Sequence, residues 1–240
     1  MRHRYWMSSV AYATNLALLV SLPFQAGALS WLPWMLLCYL VGSLTISVGF
    51  HRLFCHQAFK TSAGWHWFFA IFGVLAMYGS PLQWAVTHSA HHKYSDTDRD
   101  PHPTPWTWKA LLTKSYRPVP LDIYRARRLL RQHPFLHRFV DGAYVEIYLV
   151  LMGALLWAAP DFVALALLPG LGLVQFIGSL HNTISHQDGR ARDLWWMEYL
   201  LPAAGEWLHG LHHRKPRLAD FRTNWYHLDT GALLVKLIRK

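Results

Sequence analysis

Histidines in four spaced groups are the residues of this chain best suited to chemistry. His51 and His56 form an H-x4-H, and His88, His91 and His92 form an H-x2-H-H. His181 and His186 repeat the H-x4-H with Asn182 between them, and His209, His212 and His213 repeat the H-x2-H-H. On an α-helix, positions i, i+3 and i+4 share a face, so each H-x2-H-H can direct three imidazoles at one point. An H-x4-H does the same only where the chain bends, because residues five apart on a regular helix diverge by ~140°. Imidazole is a ligand for iron, zinc and copper, and so many converging donors exceed what one ion takes. The pattern points to a polynuclear metal site.

Other residues near these boxes leave alternatives open. Asp96, Asp98, Asp100 and Glu206 can accept the outer N–H of ligating imidazoles or stand as ordinary solvated charges. Cys55 sits between two histidines of the first box, but Cys38 is the only other cysteine, so no thiolate set or disulfide framework exists. His3, His66, His102, His133, His137 and His227 are isolated and read as surface or headgroup contacts. His181 is open to two readings. It can be a further ligand; alternatively, if its helix continues, Asn182 and His186 share a face and His181 points away.

The elements that must position these groups follow from where charge is missing. Of 240 residues, 53% are hydrophobic and only 15% charged, against a typical ~25%. Tyr5 to His51 contains no Asp, Glu, Lys or Arg. That is long enough for two spans of ~20 residues, about 8–28 and 32–50. A second apolar block, interrupted at Pro160-Asp161, supplies spans at about 143–159 and 162–180. The N-terminal run is too long for the ~7–15 residue core of a signal peptide. Residues 61–92 also lack charge, but their apolar core stops at Gly79-Ser80-Pro81, which suits a helix at about 65–79 lying in the membrane surface.

All twenty-three Lys and Arg fall outside the two predicted hairpin turns, which places both termini and the middle loop in the cytoplasm. The net charge of +10 then reads as a face against anionic headgroups rather than a nucleic-acid surface. The expected fold is a single all-α integral membrane domain over 1–240. Two helical hairpins carry a cytoplasmic helical cap from about 51–138 and 181–240, including a Pro-, Arg- and Trp-rich loop from Asp98 to Pro134. All four histidine boxes fall on the cap side.

The chain resembles the membrane-bound fatty acid desaturases, of the acyl-CoA (stearoyl-type, delta-9) branch. The resemblance rests on His51-x4-His56, on Trp84-x3-His88-x2-His91-His92 through Asp100-Pro101-His102, on Asn182-x3-His186, and on Gly205-Glu206-x2-His209-x2-His212-His213. It implies two irons held by His51, His56, His88, His91, His92, His186, His209, His212 and His213, with Asn182 acting through water. It implies O2-dependent removal of two hydrogens from an acyl chain, carried on CoA or on a lipid. Trp84, Gly178 and Ser179 would shape the substrate tunnel; Gly178 and Ser179 stand where animal members carry Thr and Trp, and Val86-Thr87 where those members carry Arg-Asp. No Rossmann or haem motif occurs, so electrons would come from a separate carrier such as cytochrome b5 or a ferredoxin-type protein. A hydroxylase or ketolase of the same di-iron histidine type is the alternative, and histidine-mediated metal transport is a third.

Overall fold

The computed structural model describes residues 5–102, 119 and 133–240. Among them the chain is all-helical, with a single isolated bridge between Asp193 and Leu208 in place of any strand. Most of the predicted Pro- and Arg-rich loop lies outside the described residues.

Four helices are long and apolar enough to cross a membrane: Met7–Phe24, Ala28–Cys55, Pro134–Ala158 and Pro160–Ser185. Within them lie α1 (Tyr5–Ser21) and α2 (Leu32–Leu44), the latter continuing in wider winding over Thr45–Cys55. After the break follow α5 (Pro134–Ala158) and α6 (Leu168–Ser185). The second and fourth of these helices run on past the expected spans at 32–50 and 162–180, to Cys55 and Ser185, and so carry His51 and His181 within them. The third begins already at Pro134 and takes in Arg138, Asp141 and Glu146. Helical hydrogen bonding does not stop where apolarity does.

The segment expected at 65–79 is α3 (Ala63–Phe72), running on to Ala76; at 78° to it lies α4 (Pro81–Tyr94). Met77 and Gly79 have positive φ at the corner. Pro81 opens α4, and the Ser80 hydroxyl accepts the Gln83 amide N–H at 3.1 Å. The α4 helix packs on the Thr45–Cys55 segment, which puts the first two histidine boxes together.

The centre of the bundle is α6, which packs against both α1 and α2. Its Pro-Gly-Leu-Gly start permits this: a Cβ on Gly172 would meet the Asn15 carbonyl at 2.7 Å, and one on Gly170 the Met35 carbonyl at 2.7 Å. Inside the apolar interface, Asn15 donates to Gln175 at 3.1 Å and Gln175 donates to the Ala76 carbonyl at 2.8 Å. Both amides are thereby satisfied where an unmet polar group costs most.

The C-terminal elements are α7 (Met197–Leu200), α8 (His209–Arg214) and α9 (Thr230–Ile238). The α9 end is tied back to the start of α3, with Lys240 N–H on the Lys60 carbonyl at 2.9 Å and the Thr61 hydroxyl on the Ile238 carbonyl at 2.6 Å.

Candidate metal centre

The first box solves its spacing without a bend. Thr45–Cys55 winds as a π-helix, and His56 N–H donates to the His51 carbonyl at 3.0 Å. An i→i+5 ladder stacks residues five apart on one face, and the two imidazole centroids are 4.8 Å apart.

The two H-x2-H-H boxes sit on α4 and α8. Each was expected to aim three imidazoles at one point; instead each is divided. His51, His56, His88, His92 and His212 bring one ring nitrogen each within 4.8 Å of one another, and so do His91, His186, His209 and His213. On α4 the i, i+4 pair His88 and His92 serves the first group and His91 the second. On α8 the pair His209 and His213 serves the second and His212 the first. The reason is angular: i and i+4 are ~40° apart, while i+3 lies ~100° from i+4. The groups adjoin, with His92 stacked on His213 at 4.4 Å.

Imidazole nitrogens face one another in both groups. Nε2 of His212 is 2.9 Å from that of His51 and 2.8 Å from that of His92; Nε2 of His209 is 2.7 Å from that of His186 and 3.0 Å from that of His213. Donor atoms ~2.0–2.1 Å from a shared ion stand ~2.9–3.4 Å apart, so two of these four spacings are those of ligands around a metal and the other two are slightly shorter. His56 Nε2 is buried with no hydrogen-bond partner, as a donor reserved for an ion would be.

Three carboxylates hold imidazoles from behind. Asp100, fully buried, lies 3.0 Å from His91 Nδ1 through both oxygens and also accepts the backbone N–H of Asp96 at 3.0 Å and of His102 at 2.9 Å. Asp96 lies 3.1 Å from His186 Nδ1, and Glu206 lies 2.9 Å from His51 Nδ1. Each carboxylate favours the tautomer with hydrogen on Nδ1, which leaves Nε2 as a lone-pair donor. Asp98, grouped with these from sequence, is exposed on the turn after α4. Asp96 adopts a left-handed φ of 61° there, and the turn carries Asp100 inward instead.

Glu206 is itself presented by a constrained turn. Ala204 and Gly205 have φ of 56° and 88°, and a Cβ on Gly205 would lie 2.3 Å from the Asp229 carboxyl carbon. Buried Glu198 accepts the N–H of Ala203 and of Gly205, each at 2.9 Å. Fully buried Arg52 donates to the Ala204 carbonyl at 2.6 Å, the Ala219 carbonyl at 3.0 Å and Asp229 at 3.0 Å, and covers the Phe221 ring at 4.0 Å. Ser47 donates to Glu206. Sequence reading passed over Arg52, Glu198 and Asp229; the buried charge beside His51 was the available signal.

His181 donates through Nε2 to the Glu206 carbonyl at 2.8 Å and packs edge-on against His209 at 4.4 Å, outside both nitrogen groups. The helix does continue to Ser185, and Asn182 lines a cavity of about 440 Å³ that His51, His88 and His209 also reach. Trp84, stacked on His88 at 4.6 Å, and Gly178 line it too. Ser179 does not: it is buried beside Tyr12 of α1. The cavity passes between Ser43 and Ile46 of the second apolar helix, Met77 and Tyr78 at the corner, and Val174 and Ile177 of α6. Cys55 points its thiol at Ala85 O and Ser89, 3.5 Å from each, and joins no nitrogen group.

Four isolated histidines expected at the surface are buried: His66, His102, His137 and His227. His102 stacks on His91 at 4.2 Å, and His66 packs edge-on to His133 at 4.2 Å. Tertiary packing, which no local pattern encodes, covers them. Within the cluster, burial first and neighbouring imidazoles second push His209, His212 and His213 well below the ordinary histidine range. These rings are neutral at pH 7, the form that ligates metal.

The chain matches the fatty acid desaturase family over residues 29–236. It is 30% identical to the sn-2 palmitoyl-lipid 9-desaturase of Nostoc sp. (strain 36), across 98% of this chain and 87% of the relative. It is 29% identical to the sn-1 stearoyl-lipid 9-desaturase of Anabaena variabilis, across 85% and 79%, and 30% identical to Delta-9 acyl-lipid desaturase 1 of Arabidopsis thaliana, across 85% and 70%. A match across most of the chain, with histidine groups able to hold metal, makes this protein a member of the fatty acid desaturase family and an oxidoreductase of lipid metabolism.

Proposed function

We propose that the protein is an O2-dependent di-iron desaturase that introduces a cis double bond into a saturated acyl chain, with electrons from an external carrier. The observation that carries this reading is the junction of two adjoining histidine groups with a cavity that runs into the apolar bundle. His51, His56, His88, His92 and His212 would hold one iron. His91, His186, His209 and His213 would hold the other, with Asn182 contributing through water. Bound iron and O2 supply the oxidant that an unactivated methylene requires, which no side-chain acid or base can provide.

The chain's own groups do the rest. Asp96, Asp100 and Glu206 fix the imidazole tautomers, so that neutral imidazole nitrogens would face the irons. The apolar walls at Met77, Val174 and Ile177 exclude water and hold a methylene chain by contact alone. Trp84 on His88 restricts where that chain meets the metal groups.

The lipid-linked substrates named for the relatives above favour an acyl lipid over acyl-CoA, as does Val86-Thr87 in place of a charged pair. The Lys and Arg distribution supports four spans with both termini and the site on the cytoplasmic side. A basic face of that kind suits an acidic donor such as cytochrome b5 or a ferredoxin-type protein.

Expression with a matching reductase chain, followed by mass spectrometry of total lipids, tests the reading. New cis-monounsaturated chains that vanish without oxygen are expected. Hydroxylated lipids without alkene would assign the protein to hydroxylation instead.

A further inference from the structure

We propose that Trp196, Tyr199, Leu200 and Trp225 form an aromatic foot seated in the headgroup and upper acyl region of the bilayer, on a segment the charge pattern assigns to the water-facing cap. The proposal rests on reading the four apolar helices as membrane spans.

Depth is the first argument. From Leu194 to Ala203 the chain folds back along the flanks of the second apolar helix and α6. Its inward side chains, Met197 and Leu201, share one apolar cluster with Tyr39, Val174 and Ile177, and the Tyr39 hydroxyl donates to the Pro202 carbonyl. Val174 precedes the end of α6 at Ser185 by about eleven residues, or ~16 Å along the axis. Tyr39 lies about one turn further still from that end, since a Cβ on Gly42 would meet Val174 at 2.9 Å and one on Gly170 would meet the Tyr39 backbone nitrogen at 3.0 Å. On α1, Asn15 reaches the level of Val174 through its bond to Gln175, and by there α1 is already ten residues into its apolar run. A segment packed at this height stands beside the spans, not above them.

The outward face is the second argument. Trp196 is 49% exposed, Tyr199 55%, Leu200 67% and Trp225 95%. The two stretches make one surface, because Trp195 packs on Tyr226 at 5.0 Å and the Tyr199 hydroxyl donates to the Tyr226 carbonyl. In water so large a cluster of exposed aromatic rings would be a liability. Trp and Tyr with flanking Arg, here Arg190 and Arg222, is the composition of a membrane–water boundary.

The foot ends where the cavity begins. Ala203 and Glu206 both line it, so the bilayer bears directly on the turn that presents Glu206 to His51.

A photo-reactive benzoylphenylalanine in place of Leu200 or Trp225, in the full chain reconstituted into phosphatidylcholine–phosphatidylglycerol vesicles, tests this, with Leu37 on α2 and exposed Asp98 as references. After illumination, mass spectrometry should find lipid adducts at Leu200 and Trp225 as abundant as at Leu37 and about ten-fold above Asp98. Adducts at Leu37 but not at Leu200 would overturn the foot while leaving the spans intact. Adducts at neither would overturn the spans and the foot together. A protein crosslink from Leu200 in native membranes, replacing the lipid adduct, would overturn it in favour of a protein-docking face.

Discussion

Asp100→Asn is the most informative single change. The Asp100 carboxylate is fully buried and faces only donors: His91 Nδ1–H, Asp96 N–H and His102 N–H, all at 2.9–3.0 Å. An amide of the same shape offers one acceptor and must turn its NH2 toward at least one of them. A buried N–H left unmet costs ~1–3 kcal/mol. The alternative relief is for His91 to move its proton to Nε2, which removes the lone pair aimed at the second histidine group. Either route weakens metal binding through His91, and loss of an outer partner typically costs ~10–100-fold in metal affinity. Metal per chain, measured by plasma mass spectrometry across a chelator series, should therefore drop for Asp100→Asn with desaturation falling in parallel. Asp98→Asn, two residues away and exposed, should stay within ~0.5 kcal/mol of the parent. Equal chelator resistance for Asp100→Asn and the parent would refute the argument that this carboxylate sets the His91 tautomer.

Protein produced with ample iron should carry about two ions per chain, one for each nitrogen group, with zinc able to substitute; one or none under every metal supply would exclude the two-site reading. His186→Ala should abolish activity and lower bound metal and Asn182→Ala should cut activity while keeping most of it. His181→Ala, whose Nε2 binds a backbone carbonyl, should lose less metal than His186→Ala in the same measurement. Gly178→Ala should shift products toward shorter acyl chains, because a Cβ there would meet the Tyr78 hydroxyl at 2.6 Å beside the cavity; gas chromatography of methyl esters gives the answer. Burial pushes the Glu198 carboxyl up to about 8, so the folded state binds its proton more tightly than the unfolded chain. That contribution to stability is full below pH ~4.5 and is lost as pH rises through ~8. Glu198→Gln should flatten that part of the melting-temperature profile, and parallel profiles would count against it.

The histidines were legible because α-helical spacing is a local property, and three of the four boxes use it. The first was not, since whether an H-x4-H bends or rewinds depends on what packs around it. Here the segment is enclosed by α3 and α4, and the wider π ladder fits His51 and His56 to one group. The carboxylates were half legible. Sequence could propose Asp96, Asp98, Asp100 and Glu206 but not rank them, because the choice between Asp98 and Asp100 turns on a left-handed residue at Asp96. His66, His102 and His137 look like surface histidines until α3, α4 and α5 close over them. Charge absence found the apolar helices; the second and fourth keep their helical bonding past the expected spans, to Cys55 and Ser185, and so bring their histidines to the cluster.

The crosswise sharing of α4 and α8 has a consequence for assembly. Because each helix serves both groups, neither group is complete until the two helices are docked, and no half of the chain can hold one ion properly alone. The Glu206 turn adds a second bond between the groups. Its carboxylate fixes His51 of the first, while its carbonyl accepts from His181, which packs on His209 of the second. Arg52, one residue from His51, anchors that turn and the start of α9 at once through Ala204 and Asp229. A buried guanidinium without its carboxylate costs several kcal/mol, so Arg52 and Asp229 stand or fall together. These contacts of Arg52 involve no histidine of either nitrogen group, so the first histidine helix and the C-terminal segment are joined by an outer frame that does not depend on ligation.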